Sequence, residues 1–106
     1  MNIPKDKLML MLERMWLIRN FELKVIEAHT TGLFAGAAHP YIGEEAVAVG
    51  ACVAMRDTDY IAGNHRSHGH PIAKGASLKK AMAEIFGRRD GYCKGKGGSM
   101  HLADFS

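Results

Sequence analysis

Between Pro4 and Gly32 the chain runs without a glycine or a proline and through good helix formers, with Asp6 near the start. This predicts one long helix from Pro4 to about His29, ended by Gly32. Leu8, Met11, Leu12, Met15, Ile18 and Glu22 share one face of it, while Met9, Trp16 and Leu17 widen the apolar surface beyond a single stripe. A helix apolar over so much of its circumference needs cover from more than one side. A chain of 106 residues buries only about 60 to 65% of its unfolded surface. Too little chain remains to cover both sides, so packing within the chain and burial against a partner subunit both stand open.

The stretch "TTGLFAGAAH", Thr30 to His39, is small and glycine-bearing and reads as a connection. Gly43, Glu44 and Glu45 then precede "AVAVGACVAM", where acidic residues at the start favour the positive end of a helix dipole. A buried helix is expected there, with a strand over Val47 to Val53 as the competing assignment. "RDTD" closes that run, and Tyr60 to Ala62 is expected to form a short strand. Ser77 caps a further helix with Leu78, Ala81, Met82, Ile85 and Phe86 inward and Gly87 at its end. The remainder, "RRDGYCKGKGGSMHLADFS", is a basic, glycine-rich loop. Three helices, one short strand and long loops make the chain mainly α, within a single domain.

Composition narrows the class further. With 47% hydrophobic and 24% charged residues the chain is ordinary for a soluble protein, and its apolar runs are too short to cross a bilayer. Glu13, Arg14 and Arg19 interrupt the N-terminal apolar residues, which argues against a secretory signal. Cys52 and Cys93 lack CxxC spacing, and two free thiols fit a reducing, cytoplasmic setting. The net charge of +3 is uneven: residues 1–62 carry six Lys/Arg against eight Asp/Glu, residues 63–106 eight against three. An anion therefore belongs with the second half. Nucleic acid is disfavoured, because that half has few aromatic residues and no recognisable nucleic-acid motif.

The second half opens on "GNHRSHGHP", Gly63 to Pro71, which invites a metal reading. His65, His68 and His70 are possible imidazole ligands, with Cys93 or His101 as a fourth. Arg66 inside the cluster would repel a dication, and no carboxylate lies nearby in sequence to orient the imidazoles. Phosphate is the better account: Arg66 offers a planar fork of donors, His65 another, and Gly69 lets backbone approach an anion. A second cationic, glycine-permissive loop, "KGKGGS" at Lys94 to Ser99, strengthens this, although it is neither a dinucleotide fingerprint nor a P-loop. His39, ahead of Pro40, can hydrogen-bond a substrate carbonyl; spacing alone makes it an ordinary turn residue. His29 reads as a helix-dipole partner or surface residue.

Read in order, "HPYIGEEAVAVG", "NHRSHGHPIAKG", "MAEIFGR" and "GYCKGKGGSMHLADFS" resemble the α subunits of thiamine-diphosphate-dependent 2-oxo acid dehydrogenases. Acetoin dehydrogenase α subunits are nearest and pyruvate dehydrogenase α subunits next. The resemblance runs from the first helix to Ser106 and implies the N-terminal portion of an α/β thiamine-diphosphate-binding fold. Residues 1–106 would be one incomplete domain, with the N-terminal helix and connection over 1–32 and the start of the cofactor-binding domain over 33–106.

The resemblance also implies roles. His65 and Arg66 match the pair that contacts the cofactor's diphosphate, and His39 matches a histidine lining the substrate pocket. His68 falls in the same histidine-loop motif, and His101 follows the glycine-rich loop near the active site, where Ser99 and the backbone amides shape the entrance. These make His39, His68 and His101 the catalytic candidates. The cofactor-activating glutamate is placed on a separate β subunit, so Glu44 and Glu45 are not taken for it. Magnesium bridging the diphosphate is held in the family by a GDG motif and a later Asn, and no GDG occurs in this chain. The implied partners are a β subunit and a second α subunit in an α2β2 assembly, and a lipoyl acyltransferase. The implied reaction cleaves acetoin or a 2-oxo acid such as pyruvate and passes the acyl unit to lipoamide. The chain by itself is expected to be inactive. Two other classes remain: a non-enzymatic helical assembly module and a histidine-loop metal-binding protein.

Overall fold

The computed structural model describes residues 2–105. Four helices follow one another: α1 over Lys5–Thr30, α2 over Glu45–Val53, α3 over Gly69–Ala73 and α4 over Leu78–Ile85. The long helix is there as the sequence predicts. Pro4 starts it with a fixed φ of −55°, and the Leu33 and Gly32 amides close its end on the carbonyls of Ala28 and His29. Gly32 takes the left-handed φ of 75° that this closure needs.

Ile18, Phe21, Glu22, Val25 and Ala28 form the buried face of α1, a 3–4 residue spacing that makes a stripe only along its C-terminal half. Toward the start, Leu8, Met9, Leu12 and Trp16 stay exposed, Trp16 at 59%. Packing within the chain therefore covers one side of α1 and leaves the other open.

Helix α2 lies against α1 and α3 and is tied to α1 by an ion pair between Arg19 and Glu45. That guanidinium holds the Glu45 carboxyl below its usual range, against the opposing effect of burial, and the Gly43 N–H adds to the same direction. The expectation of a buried helix is met on one face only. Ala48, Val49 and Cys52 are buried, whereas Ala46, Gly50 and Ala51 are exposed and Val47 is 68% exposed. Nothing among the described residues packs on that outer face, because α1 and α3 both contact α2 from within.

Two expectations are corrected. Tyr60 to Ala62 is not a strand, and no strand occurs among the described residues. A strand needs an edge to pair with, and here Tyr60 projects outward at 98% exposure while the Lys74 ammonium donates to the carbonyl of Asp59 at 2.6 Å. In addition, the histidine loop contains a fourth helix, the five-residue α3, too short for any periodicity to reveal. It runs where Gly69 meets Tyr41: a Cβ there would lie 2.5 Å from the ring, so only glycine lets the two approach.

Helix α4 follows expectation. The Ser77 hydroxyl accepts the Lys80 N–H at 3.3 Å, and Gly87, at φ 68°, ends the helix with the Arg88 amide on the Ala83 carbonyl. Ala81 and Ile85 join Ile18, Phe21, Val25, Tyr41, Val49, Ile72 and Leu102 in one apolar core that draws on all four helices. The fold is mainly helical, as the sequence predicts.

Candidate functional site

Of the residues singled out in the sequence, His39 and His65 are brought together. Their rings meet edge to face, with centroids 4.8 Å apart and planes at 81°. His39 is half-buried, His65 and Arg66 exposed. The turn bearing His65 and Arg66 is shaped by Asn64, whose Oδ1 accepts the Arg66 N–H at 2.8 Å, an Asx turn. The side chains of His65 and Arg66 both stand at the surface, and the His65 ring lies against that of His39.

His68, three residues beyond His65, is placed differently. It is fully buried, with Nδ1 2.7 Å from Glu22 Oε1 and Nε2 2.8 Å from the carbonyl oxygen and 2.9 Å from the hydroxyl of Ser99. Both ring nitrogens are engaged and no atom of the ring reaches the surface. His68, a catalytic candidate in the sequence, thus offers no exposed atom to a ligand in this structure. Ser99 Oγ in turn accepts the backbone N–H of His39 at 3.3 Å, so the two loops named by the sequence do converge.

His101 is not drawn in. Its side chain is exposed and its carbonyl accepts from the Cys93 thiol at 3.6 Å. His70 turns inward onto Tyr41, with ring centroids 5.6 Å apart, and its Nδ1 is buried without a hydrogen-bond partner. The histidines of "HRSHGH" therefore occupy three environments, and no group of three His, Cys, Asp or Glu side chains among the described residues is arranged to hold a metal. Cys52 is no activated nucleophile either, since burial pushes its thiol up.

The glycine-rich loop holds what sequence reasoning missed. Its amides do not face outward to an anion; they close around Glu84 of α4. Oε2 accepts the N–H groups of Cys93 and Gly95, each at 2.8 Å, and Oε1 those of Gly97 at 2.7 Å and Gly98 at 3.2 Å. Glu84 is fully buried. Burial alone would raise its carboxyl, yet these four donors together outweigh burial and hold it below its usual range. The anion that organises the "KGKGG" loop is thus the protein's own carboxylate, which removes these amides from any phosphate clamp. One signal was available: Glu84 falls on the apolar face of α4 with Ala81 and Ile85 and precedes a run of glycine N–H donors. Glu22 gave a similar one, on the inner face of α1 between Ile18 and Val25.

The model of the dehydrogenase E1 component family matches residues 13–106. The chain is 52% identical over 104 residues to the α subunit of acetoin:2,6-dichlorophenolindophenol oxidoreductase of Bacillus subtilis (strain 168), covering 98% of this chain and 31% of that protein. It is 44% identical over 104 residues to the protein of the same name from Cupriavidus necator, with the same coverage. Against the pyruvate dehydrogenase E1 component subunit alpha of Rhizobium meliloti (strain 1021) it is 48% identical over 88 residues, 83% of this chain and 25% of that one. The chain thus spans less than a third of the length of these relatives. Matched by the family model from Glu13 through Ser106, the chain belongs to the dehydrogenase E1 component family.

Proposed function

We propose that residues 1–106 form the N-terminal portion of the α subunit of a thiamine-diphosphate-dependent dehydrogenase, cytoplasmic and acting on acetoin or a 2-oxo acid such as pyruvate. Residues 1–32 supply the helix and its connection, and 33–106 begin the cofactor-binding domain of an α/β fold. The observation that carries this is the meeting of His39 and His65 at 4.8 Å, beside the exposed Arg66, in a chain of this family. His65 and Arg66 hold the cofactor's diphosphate through imidazole and guanidinium donors. His39 faces the substrate carbonyl and donates a hydrogen bond to it. His101 stands two residues beyond Ser99 at the edge of the entrance, and His68 orients the others from below.

These donors suit a diphosphate and do not suit magnesium, which takes hard oxygen ligands in octahedral geometry. The ion's ligands therefore lie outside the described residues, in keeping with the lack of a GDG motif. When bound, the thiamine supplies the carbanion chemistry that cleaves the bond next to the substrate carbonyl. This chain's own residues bind the anionic end, orient the carbonyl and fix the loops.

The partners are a β subunit, a second α subunit in an α2β2 assembly and a lipoyl acyltransferase that takes the acyl unit. The open side of α1, with Trp16 59% and Leu12 49% exposed, supports a subunit contact on that helix. A patch of this kind is uncommon on a monomer.

The test is acetoin-dependent reduction of 2,6-dichlorophenolindophenol by the intact α subunit with its partner chain, thiamine diphosphate and magnesium, with pyruvate in parallel. Turnover with either substrate that disappears when thiamine diphosphate is omitted supports the proposal; no turnover with either removes it. Residues 1–106 alone give none.

A further inference from the structure

Helix α1 buries one carboxylate among apolar neighbours. Glu22 is fully buried between Ile18, Phe21 and Val25 on the same face, and its Oε2 has no hydrogen-bond partner. Taking a carboxylate out of water with half its acceptor capacity unmet is unfavourable, and an apolar side chain would fill the space without that cost. Packing alone gives no reason for it.

What Glu22 does have is His68. One proton lies between Glu22 Oε1 and His68 Nδ1, 2.7 Å apart. On the opposite side of the ring the Ser99 carbonyl, which only accepts, fixes Nε2 as a donor to Ser99. The Ser99 hydroxyl accepts as well, from Nε2 and from the backbone N–H of His39. His68 also stands two residues after Arg66 and three after His65, so the seat of its ring sets the turn that carries both. Two branches leave this one imidazole: along the chain to His65 and Arg66, and across Ser99 to His39.

We infer that Glu22 is a positioning residue of the site, acting through His68 to hold the diphosphate-facing turn and His39 in mutual register. Orientation of an imidazole by a buried carboxylate on its far nitrogen is a known physical device; here both products of that orientation lie one step further out. The inference rests on the proposed cofactor role of His65 and Arg66, and the branching of the network gives it a test of its own.

In the intact α subunit with its partner chain, labelled at histidine, the His39 amide and the His65 ring are followed by NMR in Glu22→Gln and Ser99→Ala, and thiamine diphosphate is titrated with magnesium. E22Q moves both histidine signals and raises the half-saturating thiamine diphosphate concentration about tenfold or more, the effect of losing a charge-assisted hydrogen bond. S99A keeps the carbonyl contact to His68, moves the His39 amide and leaves the His65 ring in place. In the double variant the His39 amide shifts no further than in S99A, because the branch from Glu22 reaches it across Ser99. The inference is overturned if folded E22Q keeps both signals at their original positions, or if S99A moves the His65 ring as far as the His39 amide. Should E22Q not fold, Glu22→Asp takes its place: the carboxylate, one methylene shorter, draws away from His68, and folded E22D with both histidine signals at their original positions overturns the inference. Should the unaltered protein bind no thiamine diphosphate, the cofactor proposal fails while the histidine signals still decide the positioning role.

Discussion

The carboxylate of Glu84 accepts the backbone N–H of Gly97 from 2.7 Å, across a loop that carries Arg88, Arg89, Lys94 and Lys96 against the single acidic residue Asp90. With Cys93, Gly95 and Gly98 also pointing at it, this one side chain satisfies donors that a tight glycine-rich loop has no other way to pair. Glu84→Ala leaves four amides without that acceptor and lowers stability by about 3 to 5 kcal/mol, the range for breaking a buried charged network. Glu84→Gln does not rescue it, because either orientation of the amide turns an NH2 toward two backbone donors. Urea unfolding with matched m-values checks both variants.

The same carboxylate makes the fold acid-sensitive. Its folded pKa is depressed, so the unfolded chain binds more protons at mildly acidic pH. The stabilisation is present above the ordinary Glu value of about 4.3 and is lost as pH falls through the lower folded value. Glu45, held down by Arg19, adds to the same limb. The urea midpoint of the unaltered chain therefore drops steeply below about pH 4. E84A, already without this contribution, shows a shallower acid limb.

Glycines in the loop divide by what stands next to them. Gly95, at φ 79°, would place a Cβ 2.5 Å from the Gly87 carbonyl carbon and 2.9 Å from the Arg88 nitrogen, all backbone. Gly98, at φ 63°, would meet nothing within 4 Å. Gly98→Ala costs only the left-handed penalty of about 1 to 2 kcal/mol. Gly95→Ala adds a displaced backbone on each side and costs at least about 3 kcal/mol, in the range of the large mutational losses. Thermal melts of the two variants side by side separate local conformation from close approach.

Much of this was legible in the sequence where a side-chain pattern and a local rule agreed. Of the α1 face read from spacing, Ile18 and Glu22 are buried while Leu8 and Leu12 stay exposed, and Ser77 and Gly87 bracketed α4. His39 and His65 were singled out and their rings meet. What was not legible depends on partners distant in sequence. Glu22 is 46 residues from His68, and a buried pair leaves no periodic trace beyond a carboxylate on an apolar face. The "KGKGG" loop was read from its lysines and its freedom of backbone, yet its amides answer to Glu84 on the helix before it. Tyr60 to Ala62 has strand-like residues, but strand formation is decided by an available edge, and the described residues offer none.

Arg66 provides the last prediction, on the proposed reading of this face. Its backbone is fixed by Asn64 while its guanidinium stands exposed, so removal changes a ligand contact with little change in the fold. Arg66→Ala raises the half-saturating concentration of thiamine diphosphate about tenfold or more, as for other charge-assisted contacts to phosphate. Arg66→Lys keeps the charge and loses the planar fork, and recovers only part of that affinity. An exposed cation is screened by salt, with a Debye length of about 10 Å at 0.1 M. Added sodium chloride therefore weakens binding by the unaltered protein more steeply than by R66A. Calorimetric titration of the intact subunit and its partner chain at two salt concentrations reads both effects. Equal salt slopes for the unaltered protein and R66A would place the diphosphate away from Arg66. Unchanged melting temperatures in both variants are expected, because no hydrogen bond among the described residues uses the guanidinium.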